Sequence, residues 1–309
     1  MTAVLGGFAA LAVVIAVGWL TGRTGALGPD AAGVLSRLSY YVATPALLLL
    51  TLADADPAAL LSAALVATGG SALLVAAVYV VLARWWWRLR PAQLATGALA
   101  SAYVNAGNLG VPIAVYVLGD ASYVAPVLLF QVLVMAPLGL SVLAGSHDGT
   151  GPAPSRWKVL SQPVRTPVVL GCVLGLLLAE TGLQLPSVVL RPVELLAALA
   201  VPAALLAFGT SLHGAPRPAS GDGGGQVWLA VVLKNLAQPA LAYVLGRWVV
   251  DLSGVPLLAV TITSALPTAQ NVFVYATSYD RGTELARDVV LLTTVLSVPV
   301  LVGVAVALG

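Results

Sequence analysis

Charge is what this 309-residue chain has least of: 8% of its residues are Asp, Glu, Lys or Arg, with 14 basic against 12 acidic. A soluble domain carries about a quarter charged residues, so a water-solvated fold is excluded. Cysteine is nearly absent. Cys172 alone, set in an apolar stretch, rules out an internal disulfide and most metal frameworks. The two histidines, His147 and His213, fall in loop-like stretches and are poorly placed for an intramembrane relay. No aspartate or glutamate sits at the middle of an apolar stretch, which leaves no acidic proton carrier or sodium ligand at membrane depth. No serine–lysine pair, histidine metal set or paired aspartates stand within those stretches. Intramembrane enzyme chemistry is therefore argued against, and neither a cofactor, a metal nor a nucleic-acid partner is expected.

What is there is hydrocarbon. Hydrophobic residues make up 60% of the chain and the mean hydropathy is +0.99. Segments of about 20 apolar residues match a bilayer core roughly 30 Å thick. They fall near 4–21, 34–53, 58–83, 93–118, 122–145, 165–181, 187–211, 227–250, 255–278 and 287–308, which predicts an all-α polytopic protein of ten transmembrane helices. The first stretch has no basic residue before it and no clear cleavage site after it, so it reads as a span rather than a signal peptide. Arg23, Arg37, Arg84, Arg88, Arg90, Arg156, Lys158, Arg165, Arg217, Arg281 and Arg287 gather at one set of alternate connections, against Arg191 and Arg247 at the other. Basic excess marks the cytoplasmic side, so both termini are expected outside a cytoplasmic membrane. The Gly-, Pro- and Ser-rich stretches 146–164 and 212–226 are expected to be mobile cytoplasmic loops.

The two halves resemble each other weakly. Pro45 and Pro202 match at an offset of 157, Arg84 and Arg247 at 163, Tyr116 and Tyr275 at 159, and Pro137 and Pro299 at 162. The expected organisation is a five-helix repeat over 1–145, a cytoplasmic connection over 146–164, and a second repeat over 165–309. An odd number of spans per repeat inverts the second relative to the first, an architecture shared by many secondary carriers. At the offset of 159, Asn108 falls on Pro267 and Pro112 on Asn271.

Helix-breaking and amide residues interrupt the fourth and ninth spans: Asn105, Gly107, Asn108, Gly110 and Pro112 in one, Pro267, Gln270 and Asn271 in the other. At membrane depth such interruptions persist only where they line a cavity or a protein interface. Proline removes an amide donor and clashes one turn back, so both spans are expected to break near Pro112 and Pro267 and to cross there. Half-helix N-termini at the centre favour an anion, with Asn105, Asn108, Gln270 and Asn271 capping the breaks or bonding a carboxylate. Gln131 and Thr293 or Thr294 are candidates for the same cavity, or for interhelical hydrogen bonding. Lys234, inside the eighth span, is a candidate for anion attraction or for snorkelling to the interface.

These motifs together resemble the auxin efflux carrier family, which includes plant auxin exporters and bacterial malonate permease-like carriers. The resemblance covers essentially the whole chain. It rests on the turn Gly18–Gly25 followed by a second span with Pro45, on Asn105, Gly107, Gly110 and Pro112, on Pro267 and Asn271, and on Lys234 and Pro239. It implies a scaffold of spans one, two, six and seven, often dimeric through it. It also implies a transport unit of the remaining spans, in which helices four and nine cross at their prolines, and elevator-like alternation with organic anions as substrates. Asn105 and Asn271 inherit the binding role by motif position, while Asn108 stands where the family has an apolar residue. The leading reading is a secondary carrier of small carboxylates in the lipid bilayer, with a substrate site at Asn105, Asn108, Gly110, Pro112, Gln131, Lys234, Pro267, Gln270 and Asn271. A channel-like permease, or a sensor built on a transporter fold, is the alternative.

Overall fold

A computed structural model describes residues 2–54, 62–110, 113–145, 167–221 and 223–308; of residues 2–11, 108, 115, 116, 121, 122, 125, 168, 169 and 172 it describes the backbone alone. The expected connection 146–164 therefore lies outside the described residues. Among the described residues all regular structure is helical and no strand forms. In lipid a helix satisfies its own amides, so an Ala-, Leu- and Val-rich chain has little other choice.

The helices are α1 (Thr2–Thr24), α2 (Ala31–Ala53), α3 (Ala63–Trp87), α4a (Pro91–Ala102) and α4b (Ala106–Gly110, resumed at Ala114–Leu118). There follow α5 (Pro126–Gly145), α6 (Pro167–Thr181), α7 (Ser187–Leu212), α8 (Gly224–Val249), α9a (Gly254–Ala265), α9b (Gln270–Tyr279) and α10 (Thr283–Leu308). Six of them, α2, α3, α5, α7, α8 and α10, are long and apolar enough to cross a membrane. Their outward faces carry Val81, Leu195 and Val306, each more than 60% exposed, as a lipid-facing surface requires. The starts follow local chemistry. The Ser62 side chain accepts from the Leu65 N–H at α3, and α4a opens with Pro91 at its first position while Gln93 Oε1 accepts from Arg90 N.

Two groups of helices pack by different means. In the first, α1 lies on α7, and α6 and α7 lie on α2. Glycine lets these backbones nearly touch: a Cβ on Gly18 would stand 2.6 Å from the Leu206 carbonyl oxygen, and one on Gly175 2.6 Å from that of Leu49. In the second group α3, α5, α8 and α10 surround the interrupted pair α4 and α9. Here the core is bulkier, with Tyr79 of α3 seated over Gly97 of α4a and no room for a side chain between them.

The interruptions set the middle of the fold. In α9 the helix stops at Ala265 and resumes at Gln270, around Pro267, as expected. In α4 the helix stops at Ala102 and resumes at Ala106, about two turns ahead of Pro112. The expected break at Pro112 itself lies outside the described residues. Where the two helices open, Val104 and Thr268 pair as an isolated antiparallel bridge.

Candidate functional site

The two breaks meet backbone to backbone. Asn105 N–H donates to the Pro267 carbonyl at 2.8 Å, and Ala269 N–H donates to the Tyr103 carbonyl at 3.1 Å. These two bonds close the antiparallel bridge between Val104 and Thr268.

Side chains from neighbouring helices complete the pairing. Gln131 of α5 accepts the Val104 N–H through Oε1, and Thr293 of α10 accepts the Thr268 N–H through Oγ1 at 3.1 Å. Thr268 Oγ1 donates to the Ala100 carbonyl at 2.6 Å. Asn105 Nδ2 donates to Gln270 Oε1 at 2.9 Å, a side-chain bond from one broken helix to the other. Every residue in this set is buried, and a polar group buried in lipid without a partner costs several kcal/mol. The network is therefore what permits two helices to open there.

The carbonyl ends of the first half-helices point into the bundle and are held by α8. Lys234 Nζ donates to the Ser264 carbonyl at 3.0 Å, at the end of α9a. Gln238 Nε2 donates to the Ala102 carbonyl at 3.0 Å, at the end of α4a. A donor there meets a carbonyl that the ended helix leaves without a partner of its own. Lys234 is fully buried, so it does not snorkel to an interface.

Beside the crossing lies a cavity of about 230 Å³. Its polar lining comes from Thr51, Asn105, Gln131 and Asn271 and from the backbone at Val104–Gly107. Its apolar lining comes from Leu47 and Leu48 of α2, Leu128 and Val132 of α5, and Val201 of α7. The cavity thus sits between the glycine-packed group and the interrupted pair. Asn271 stands in the first turn of the ten-residue helix α9b, where backbone N–H groups lack the i−4 partner of a helix interior, and Ala269 and Asn271 line the cavity.

Of the predicted site residues, Asn105, Gln131 and Asn271 line the cavity, while Gln270 and Pro267 join it through Asn105. Gly110 packs beneath the second break, where an added Cβ would meet Leu266 and Val124 at 3.1 Å. Lys234 reaches the crossing through Ser264 and is not among the residues lining the cavity. The Asn108 side chain and Pro112 lie outside the described residues. Thr268, Gln238 and Thr51 were not foreseen. Thr268 lies within the Pro267–Asn271 motif, and Gln238 follows Lys234 by one helical turn, so spacing held a signal for both. Thr51 held none.

Interrupted helices, a polar crossing and a cavity beside it inside an apolar bundle define a multi-pass membrane transport protein. The chain belongs to the membrane transport protein family, which it matches over residues 3–147 and 154–304, and this is the auxin efflux carrier type that its motifs resemble. It is a transporter and not an enzyme. Similar proteins include an uncharacterized transporter of Methanocaldococcus jannaschii, 23% identical over 297 residues, covering 94% of each chain. A Rhizobium meliloti protein whose name provisionally assigns it to malonate transport is 28% identical over 300 residues, covering 94% of this chain and 91% of its own.

Proposed function

We propose that the protein is a secondary carrier of small organic anions across the cytoplasmic membrane. The observation that carries this reading is the paired crossing of two interrupted helices beside a cavity lined in part by Asn105, Gln131 and Asn271. A helix N-terminus and amide donors are the chemistry that recognises a carboxylate without a cation. Asn105 and Asn271 are assigned to the anion, with Gln131 and Gln270 fixing their surroundings, Pro267 and Gly110 shaping the crossing, and Lys234 offsetting the carbonyl ends. The malonate relative supports a carboxylate as the substrate class.

The architecture assigned is ten spans in two inverted repeats, 1–145 and 165–309, with both termini outside. The matched landmarks of the two halves and the eleven-to-two bias of basic residues support it. The glycine-packed helices α1, α2, α6 and α7 are assigned as a scaffold, through which two copies pair, and the remaining helices as an elevator-like unit that carries the site between the two faces. A cavity walled by both groups supports that division.

Counterflow of a labelled carboxylate in proteoliposomes tests the reading. A carrier accumulates label transiently against trapped unlabelled substrate, with saturation. Plain equilibration at a rate linear in concentration would indicate a channel, and substrate binding without flux would indicate a sensor.

A further inference from the structure

The carrier reading leaves open how many negative charges the substrate brings, and the lining of the cavity bears on that number. Resting on that reading, we propose that the site is built for a monoanion with a short apolar body and discriminates against dicarboxylates.

Eleven of the 14 basic residues are described, and none lines the cavity. Ten are arginines at helix ends or in connections. The eleventh, Lys234, is spent on the Ser264 carbonyl. Arg156, Lys158 and Arg165 lie outside the described residues. What faces the cavity with positive potential is the start of α9b, worth about half an elementary charge, together with the Asn105 and Asn271 amides. That set answers one carboxylate.

The rest of the lining decides the rest of the molecule. Leu47, Leu48, Leu128, Val132 and Val201 present methyl groups, and the Thr51 hydroxyl is already donated to the Leu47 carbonyl at 2.8 Å. The remaining polar lining residues, Tyr103 and Gln131, are uncharged. A second carboxylate would be desolvated among these groups with no cation to offset it, which is the costly case for a buried charge. An aliphatic body fits the methyl groups instead. At about 230 Å³ the space lies below the roughly 300–1,000 Å³ of pockets for drug-sized ligands, so the body is a few carbons long.

The test uses the full chain in lipid nanodiscs at about pH 8, where carboxylates are fully ionised. Binding of butyrate, malonamate and malonate is measured by calorimetry, malonamate being the singly charged isostere of malonate. Butyrate and malonamate are expected to bind at least about tenfold more tightly than malonate. Malonate binding as tightly as malonamate would overturn the proposal while leaving the carrier reading intact. No binding of any of the three would overturn both. In Thr51→Lys, which adds a cation to the aliphatic wall, the malonate-to-malonamate affinity ratio is expected to rise by about tenfold. An unchanged ratio in protein of wild-type size and melting temperature would also overturn the charge argument.

Discussion

At the crossing, the arm from α4 and the arm from α9 exchange equivalent backbone hydrogen bonds, but their supports differ. The Val104 N–H is answered by Gln131, a long amide that also lines the cavity. The Thr268 N–H is answered by Thr293, a short hydroxyl buried away from the cavity. Beyond its break α4 resumes as a wide π-helical turn at Ala106–Gly110, with Gly107 open to the cavity, whereas α9 resumes as a regular ten-residue helix with a closely packed interior. One backbone pairing is thus held by two kinds of neighbour. The α4 arm is supported by groups that also meet the cavity, and the α9 arm by groups that only hold the fold.

The largest effect expected is on transport. Asn105→Ala and Asn271→Ala each remove an amide from the cavity, one from either arm. A hydrogen bond to a charged group is worth about 1.5–3 kcal/mol, so counterflow in each variant should fall by roughly 10- to 150-fold while the protein keeps its size on gel filtration. Wild-type rates in both would remove the site from this place.

The next test sets the two supports against each other. Thr293→Val leaves the buried Thr268 N–H without its acceptor, which costs about 1–3 kcal/mol, and the melting temperature should drop. Gln131→Leu leaves Val104 in the same position but also takes an amide from the cavity wall, so it should lose substrate affinity as well as stability. Equal loss of affinity in the two variants would erase the distinction between the arms.

The smallest effect probes the glycines of α4b. A Cβ on Gly107 would meet nothing closer than Leu128 Cδ1 at 4.0 Å, so Gly107→Ala should fold with an unchanged melting temperature. The added methyl enters the cavity and should weaken the longest-bodied substrate most. Gly110→Ala pushes against Leu266 and Val124 and should lower the melting temperature by a few degrees instead.

Much of this was legible in the sequence because the bilayer imposes coarse rules. The apolar helices, the break at Pro267 and the place of Asn105, Gln270 and Asn271 at the crossing follow from apolar run length and from residues that do not belong in lipid. The opening at Tyr103 and Val104 was not legible, since both are ordinary apolar-helix residues and their pairing partner Thr268 lies far away in the chain. Nor was the destination of Lys234. A lysine in a span announces itself, but which carbonyl it meets depends on α9a, thirty residues away, ending beside it. The aliphatic wall is hidden for a plainer reason: Leu47, Leu48 and Val201 look like every other leucine and valine in the chain.

The wide turn that α8 makes at Leu233–Ala237 carries a further consequence. Lys234 and Gln238 sit four residues apart across it and grip different partners, one the end of α9a and the other the end of α4a. A wide turn holds one residue more than an ordinary helical turn, so it changes the angle between Lys234 and Gln238 from that of a regular helix. The winding of this one helix thus lets two side chains a turn apart reach the ends of two different half-helices.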